Sequence, residues 1–305
     1  MDRCRRTLTA RSRLPALAAL LAATAAWGST FLVTKHSLND LAPTTFVTWR
    51  FGIAAVVLVA LRPGRVRALS RAELRRGGLL GLSVASGFLL QTTGLQHTTA
   101  GVSGFLTGAS VMLVPLVAAV AFGARVGSAG WAAVVIAGVG LGLLTDGGAA
   151  ALSLGALVTL GGAACFAVHI AGLSQWASAS NAYGLTAWSV VVATAVAGVV
   201  SLVAGQAAVP TTGAAWRALL YVAVVATCVG FGVQAWAQSA LSATTAAVVM
   251  TMEPVFAAVI ATAVGGEHLA VAGWLGGLLV VSSMFVAELG PRRCCDAVAP
   301  RIECC

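Results

Sequence analysis

The stretch MEPVFAAVIATAVGGEHL, from Met252 to Leu269, places a carboxylate and then a proline inside a segment that is otherwise apolar and rich in small residues. Apolar runs of this kind fill most of the chain. Hydrophobic residues make up 59% of its 305 residues and charged ones 9%, whereas about a quarter of the residues in an ordinary soluble protein are charged. The composition therefore predicts a membrane protein whose main solvent is lipid.

Ten apolar runs are long enough to cross a membrane. The hydrocarbon core is about 30 Å thick and a helix rises about 1.5 Å per residue, so each span needs about 20 apolar residues. The runs are residues 15–34, 43–61, 77–93, 99–122, 128–145, 153–174, 182–205, 213–236, 242–264 and 268–288. We therefore expect an all-α membrane protein with ten transmembrane helices and no soluble domain.

The first apolar run follows a basic segment, residues 1–14, and so has some features of a cleaved secretory signal. The run continues, however, from Trp27 to Val33, which brings it to about the length of a full span. This length predicts that the first run is retained as a transmembrane helix.

The net charge of +9 reflects orientation in the membrane. If the N-terminus is cytoplasmic, fifteen of the eighteen Lys and Arg residues fall on the cytoplasmic side, in residues 1–14, the linker 62–76, Arg125 and the tail 289–305. The positive-inside rule then predicts a multi-pass protein of the cell membrane with both termini in the cytoplasm. The basic segments would contact anionic lipid, and we expect no nucleic-acid partner.

The chain contains an internal repeat. A shift of 143 residues places Gly87–Gln91 on Gly230–Gln234, and Ala129–Trp131 on Ala272–Trp274, with no gap between the two matches. The repeat predicts that the two halves of the chain have related structures.

The repeat divides the ten spans into two sets of five, in residues 15–145 and 153–288. Because five is odd, the second half enters the membrane from the opposite side, so the repeats have inverted topology. Many secondary transporters are built in this way, because two related halves that exchange conformations expose a central site to either side in turn.

Several motifs of the chain resemble those of the EamA-type drug/metabolite transporter superfamily. They are Trp27–Phe31, Trp49–Phe51, Phe105–Gly108, Val114–Leu116, Glu253–Ala258 and Gly266–Leu269. The resemblance implies a ten-helix carrier of small metabolites in a prokaryotic plasma membrane, with a central cavity lined by both halves. The chain departs from the family pattern at one place: the second half has the family's Gly-Glu-x-Leu at Gly266–Leu269, but the first half has Gly-Ala-Arg-Val at Gly123–Val126.

Glu253 is the first candidate for the transport site. It lies eleven residues into the ninth predicted span, about 16 Å deep. A charge at the membrane centre costs at least about 2.5 kcal/mol, so the carboxylate is expected to face the bundle interior or a water-filled cavity. Two functional hypotheses follow: Glu253 couples transport to a proton, or it accepts a cationic or amino group of the substrate. The structural alternative is a hydrogen bond to backbone opened by Pro254.

Arg50 is the second charge predicted inside the membrane. It lies seven residues into the second span, about 10 Å from the outer boundary. At this depth Arg50 could pair with Glu253, or its guanidinium could extend to the outer interface. An anionic substrate group would favour Arg50 as its partner, and an amine would favour Glu253.

Further polar and aromatic side chains are candidates for lining the cavity. Gln91 and Gln234 occupy equivalent positions in the two repeats and either contact substrate or form bonds between helices. From the first and sixth spans the candidates are Trp27, Ser29, Thr30, Phe31 and His169, with a packed structural role as the alternative for His169.

Two other features have structural interpretations. Glu267, in the turn after the ninth span, is expected to cap the tenth helix. The motifs Gly138-x-x-x-Gly142 and Gly273-x-x-x-Gly277 are typical of close helix packing.

The sequence leaves competing functions open. Ser103, in a Gly-x-Ser-Gly motif, and His169 could form the nucleophile and base of an intramembrane serine protease, and a channel is another alternative. No metal cluster or cofactor motif is present in the sequence, so we expect no enzyme activity, cofactor or metal. The favoured function is a secondary carrier that exports small metabolites, such as amino acids or drug-like compounds, by alternating access. Proton coupling and a homodimeric state are left open.

Overall fold

The structure is a computed structural model that describes residues 2–123, 127–144, 153–178, 180–241 and 249–289. Every regular element in these ranges is a helix, and they contain no strand. The predicted all-α architecture is therefore confirmed. The tail beyond residue 289 lies outside the described residues.

The helices follow the predicted spans along the chain, with some spans divided into two or more elements. In the first half they are α1 (Asp2–Ser37), α2 (Pro43–Leu61), α3 (Pro63–Arg67), α4 (Arg71–Gln96), α5 (Ala100–Gly108), α6 (Ser110–Phe122) and α7 (Ser128–Leu144). In the second half they are α8 (Leu154–Trp176), α9 (Ala182–Val203), α10 (Gly213–Leu220), a π-helix (Tyr221–Val229), α11 (Gly230–Ala240), α12 (Glu253–Ala263) and α13 (Val271–Leu289).

Six helical segments are long and apolar enough to cross a membrane by themselves. They are Leu14–Ser37, Pro43–Leu61, Arg71–Gln96, Leu154–Trp176, Ala182–Val203 and Gly213–Gln234. A seventh candidate is a pair bent by 43°, Ala100–Val114 with Leu116–Phe122. Shorter apolar helices occupy the fifth, ninth and tenth predicted spans, and the count of ten membrane crossings stays a prediction.

The ninth predicted span is interrupted immediately before Glu253. Thr251 and Met252 form a turn, and α12 begins at Glu253. The expectation that Glu253 lies in the interior of a continuous helix is therefore wrong. The reason is Pro254, which lacks a backbone N–H and is tolerated in the first turn of a helix but not in its interior.

The eighth predicted span contains nine residues of π-helix, Tyr221–Val229. The hydroxyl of Thr227 donates to the carbonyl of Val222, five residues earlier, at 2.9 Å. Hydropathy gives no sign of this segment, because the π-helix has the same apolar composition as the helices on either side. Short π-helical segments occur frequently at functional sites.

The principal packing partners of each first-half helix lie in the second half. Helix α4 packs on α8 just as α1 packs on α11, and α6 packs on α8 just as α1 packs on α12. Two further pairs join counterparts directly: α2 with α9, and α7 with α13. Among the described helices, these contacts are therefore kept when the elements of the two halves are exchanged.

The pairing of α7 with α13 requires close backbone approach at Gly140. A Cβ added to Gly140 would lie 2.7 Å from the carbonyl oxygen of Gly276. The prediction that Gly138 and Gly142 provide the packing face is wrong, because a Cβ at either position would meet no described atom within 4 Å. The glycine between them faces α13. In the second motif Gly277 packs against the Phe105 ring, which a Cβ added at Gly277 would overlap.

Candidate functional site

Arg50 lies in α2 with its side chain buried in the helix bundle, 8% exposed. Its guanidinium carbon stands 4.2 Å from the centre of the Phe88 ring on α4. Its Nε has no hydrogen-bond partner among the described residues. The guanidinium is thus held by an aromatic face, and the structure does not show it extended toward the membrane surface.

Glu253 is the first residue of α12, a position where the helix dipole favours a negative charge. Its carboxylate and the Arg50 guanidinium interact electrostatically. Within the described ranges, the carboxylate makes no side-chain hydrogen bond and no ion pair within 4 Å. The structure therefore brings the two charges into the same region without joining them, and it does not show the proposed bond to backbone opened by Pro254.

Two phenyl rings, those of Phe88 and Phe51, face the Arg50 guanidinium, and a third, that of Phe166, packs against Phe88. Phe88 forms edge-to-face contacts with Phe51 on α2, at 5.0 Å between ring centres, and with Phe166 on α8, at 4.8 Å. These contacts fix the orientation of the Phe88 ring, which faces the Arg50 guanidinium. Sequence reasoning missed this role of Phe88, although Phe88 lies inside the repeated Gly-Phe-x-x-Gln segment that had drawn attention to Gln91.

The two repeat-equivalent glutamines make equivalent bonds. The Gln91 amide donates to the hydroxyl of Thr107 at 2.9 Å, and the Gln234 amide contacts the sulfur of Met250 at 3.4 Å. Thr107 and Met250 are themselves 143 residues apart. Both amides therefore join helices within their own half, which was the structural alternative for these residues.

The first-span motif docks α1 onto the π-helix. The indole N–H of Trp27 donates to the carbonyl of Ala226 at 2.6 Å, and the hydroxyls of Ser29 and Tyr221 are 2.7 Å apart. A π-helix has a different carbonyl arrangement from an α-helix, and here one of those carbonyls accepts the hydrogen bond from the Trp27 indole. The polar groups of Trp27 and Ser29 are thus bonded within the protein.

The other candidates on α1 and α8 are also bonded or packed. The Thr30 hydroxyl donates to the Trp27 carbonyl at 2.6 Å, and Phe31, 5% exposed, belongs to an apolar cluster with Leu95 and Ala257. The Nδ1 atom of His169 lies 3.1 Å from the carbonyl oxygen of Leu80.

Ser103 and His169 do not form a nucleophile and base pair. His169 is hydrogen-bonded to α4, whereas the Ser103 hydroxyl, fully buried in α5, has no partner among the described residues. A serine nucleophile requires a base within hydrogen-bond reach. The described geometry therefore gives no support to proteolysis.

Glu267 caps α5, and the expectation that it caps the tenth helix is wrong. Its Oε1 accepts a hydrogen bond from the Ala100 N–H at 2.7 Å, and its Oε2 accepts one from the Gly101 N–H at 3.1 Å. The cause is Gly266, whose φ of 66° is left-handed. A left-handed glycine ends α12, and the residue after it reaches the start of α5.

One cavity of about 370 Å³ lies between α2 and α9. Thr45, Thr48 and Trp49 line it on one side, and Gly198 and Ser201 line it on the other. None of the predicted site residues belongs to its lining. The cavity is therefore separate from the region of Arg50 and Glu253.

Comparison with known proteins gives three results. The profile of the EamA-like transporter family matches residues 14–145 and again residues 153–288. A protein of Archaeoglobus fulgidus described as an uncharacterized transporter is 29% identical over 269 residues, which are 86% of this chain and 82% of the relative. A crystal structure with 17% identity aligns with a TM-score of 0.63 over 91% of this chain and 97% of its own, a likeness of fold alone.

Proposed function

The chain belongs to the EamA-like transporter family and is a multi-pass membrane transporter, and from this premise we propose that it is a secondary carrier working by alternating access. In this proposal the carrier exports small metabolites, such as amino acids or drug-like compounds, across the cell membrane. Both termini lie in the cytoplasm, as the distribution of Lys and Arg predicts.

The proposed architecture is ten helices in two inverted repeats, residues 15–145 and 153–288. Its support is the exchange of packing partners between the halves and the match of one family profile to each half. Gly123 and Gly266, which are 143 residues apart, add to this support because their φ angles are 70° and 66°. Two such halves can exchange conformations and expose a shared site to either side.

One observation carries the proposal: Arg50 and Glu253, opposite charges from the two halves, share an interior region without a direct bond. Ionisable groups inside a membrane protein are costly, and they mark substrate or ion pathways. Arg50 is free to receive an anionic group, and Glu253 an amine or a proton. The rings of Phe51 and Phe88 supply an apolar wall beside them.

The remaining predicted residues have a supporting role in this proposal. Their polar groups are bonded within the protein, or, for Phe31, the ring is packed in an apolar cluster, so they set the shape of the site by holding its helices. These residues are Gln91, Gln234, Trp27, Ser29, Thr30, Phe31 and His169.

The first test identifies the substrate and then measures its exchange. Metabolite pools outside cells with and without the protein are compared, and a metabolite that differs is used for counterflow in proteoliposomes. A carrier gives saturable counterflow, whereas a channel gives flux without counterflow. Glu253→Gln is expected to abolish counterflow or its pH dependence, and unchanged values for both would exclude a coupling or binding role for Glu253.

The matched control for this test is Glu73→Gln. Glu73 is a half-buried carboxylate at the start of α4, where it forms a capping box with Ser70. Its replacement removes one negative charge, as Glu253→Gln does, but far from the proposed site. Counterflow should persist in the control.

A further inference from the structure

Glu267 joins the two halves of the bundle at one end. The carboxylate comes from the α12–α13 turn of the second half. It accepts hydrogen bonds from the N–H groups of Ala100 and Gly101, which belong to α5 of the first half. The first N–H groups of a helix have no partner within the helix. Hydrogen bonds to an ionised acceptor are stronger than neutral ones, so this contact is a strong one between the halves.

A second charged side chain forms hydrogen bonds at the junction between α4 and α5. Lys35, at the end of α1, donates to the carbonyl oxygens of Leu95, at 3.5 Å, and Thr98. These carbonyls lie where α4 ends and α5 is about to begin. The α4–α5 junction is therefore held by a cation on its carbonyl side and by an anion on its N–H side.

The repeat supplies no counterpart of Glu267 at the other end. Gly123 ends α6 in the left-handed conformation, as Gly266 ends α12, but the residue after Gly123 is Ala124. Ala124 lies outside the described residues, and an alanine side chain has no acceptor atom. The two halves thus share the left-handed glycine at this position, but it is followed by Ala124 in the first half and by Glu267 in the second half.

We infer that Glu267 is a latch that keeps the bundle closed at the end carrying the α4–α5 junction and the α12–α13 turn, and that the resting carrier is closed there. The inference rests on the proposed alternating access. Opening this end must part α5 from the α12–α13 turn and break both bonds to Glu267. At the other end position 124 is alanine, and the carboxylate contact that the described residues show there, from Glu73 to the Asn181 side-chain amide, engages no helix N–H group of the second half.

The test measures access to α5 from each face of the membrane. In full-length protein with its native cysteines replaced, Ser103→Cys places a thiol about one turn from Ala100, at a fully buried position. A membrane-impermeant thiol reagent is applied to each face of oriented vesicles in turn. With Glu267 present the thiol is protected from the face nearest the latch, and Glu267→Ala is expected to raise labelling from that face at least about tenfold, as expected for the loss of a hydrogen bond to a charged group.

The matched control is Glu73→Gln. Glu73 also caps a helix and also bridges the halves, because it accepts a hydrogen bond from the Asn181 amide at 2.7 Å, but it lies at the start of α4, away from the α4–α5 junction. Glu73→Gln is expected to lower the thermal stability of the protein without exposing the reporter thiol. An equal rise in labelling in both variants would show general loosening and would overturn the latch.

Unchanged labelling of the reporter thiol in Glu267→Ala would also overturn the latch proposal. If Ser103→Cys fails to fold, Val102→Cys on the same turn of α5 serves as the reporter. The outcome is distinct from failure of the proposed function: an absent latch gives unchanged labelling in a protein that performs counterflow. An absent carrier activity gives no counterflow even when Glu267 is intact.

Discussion

Gly28 lies so close to the start of α12 that a Cβ added to it would stand 2.9 Å from the carbonyl oxygen of Glu253. The same Cβ would stand 2.7 Å from the Cβ of Phe256. The glycine of the first-span motif therefore sets how closely α1 approaches the helix that carries the proposed transport carboxylate. It also fixes the position of Glu253 relative to the Trp27 contact on the π-helix.

Gly28→Ala is expected to lower the free energy of unfolding by about 1–3 kcal/mol, because overpacking forces neighbouring backbone to move. Thermal unfolding in detergent measures the change. Gly161→Ala on α8 is the control, since its nearest described atom, on Leu90, would be 3.6 Å from the new Cβ. Equal stability of the two variants would contradict the close approach.

Phe88→Leu is expected to weaken the hold on Arg50 by about 0.5–2 kcal/mol, the range of a cation–π contact. If Arg50 binds an anionic substrate, Phe88→Leu is expected to raise the half-saturation concentration for counterflow. Phe231→Leu is the control, because Phe231 is the repeat counterpart of Phe88 and contacts Trp27 through its ring edge. The prediction fails if the two variants shift half-saturation equally.

Arg50→Gln and Glu253→Gln are expected to be non-additive. Each single change leaves one buried charge without its opposite, whereas the double change removes both. Thermal unfolding of the wild type, both single variants and the double variant gives a coupling energy, which we expect to exceed about 0.5 kcal/mol. Additive single effects would show that the two charges do not interact across the halves.

Trp27→Phe is expected to loosen the π-helix, because the Ala226 carbonyl loses its donor. Hydrogen–deuterium exchange of residues 221–229 should accelerate. Trp188→Phe is the control, since the Trp188 indole donates to the Leu74 carbonyl of α4 at 3.0 Å and not to the π-helix. Accelerated exchange of residues 221–229 in both variants would assign the effect to general destabilisation.

Hydropathy located the helices because lipid imposes a minimum length on every apolar crossing. It could not locate the turn at Thr251 and Met252, since the turn interrupts hydrogen bonding without changing the hydrophobicity of the segment. Pro254 was the available signal, because proline is best tolerated in the first turn of a helix.

The candidate site was predicted in part for a similar reason. Charges are rare in apolar spans, so Arg50 and Glu253 could be found by inspection. Phe88 could not, because a phenylalanine in an apolar helix is common and only the folded bundle shows which ring carries a guanidinium. The target of Glu267 also depends on tertiary structure, since Ala100 and Gly101 are more than 160 residues away in the chain.

The packing of every first-half helix mainly on the second half has a consequence for biosynthesis. When the ribosome has delivered the first half to the membrane, its helices still lack the neighbours that they will finally contact. At about 5–20 residues per second, the second half needs roughly seven to twenty-seven seconds to emerge. During that interval lipid, or an insertion chaperone, must occupy the faces that the nascent chain will later cover itself.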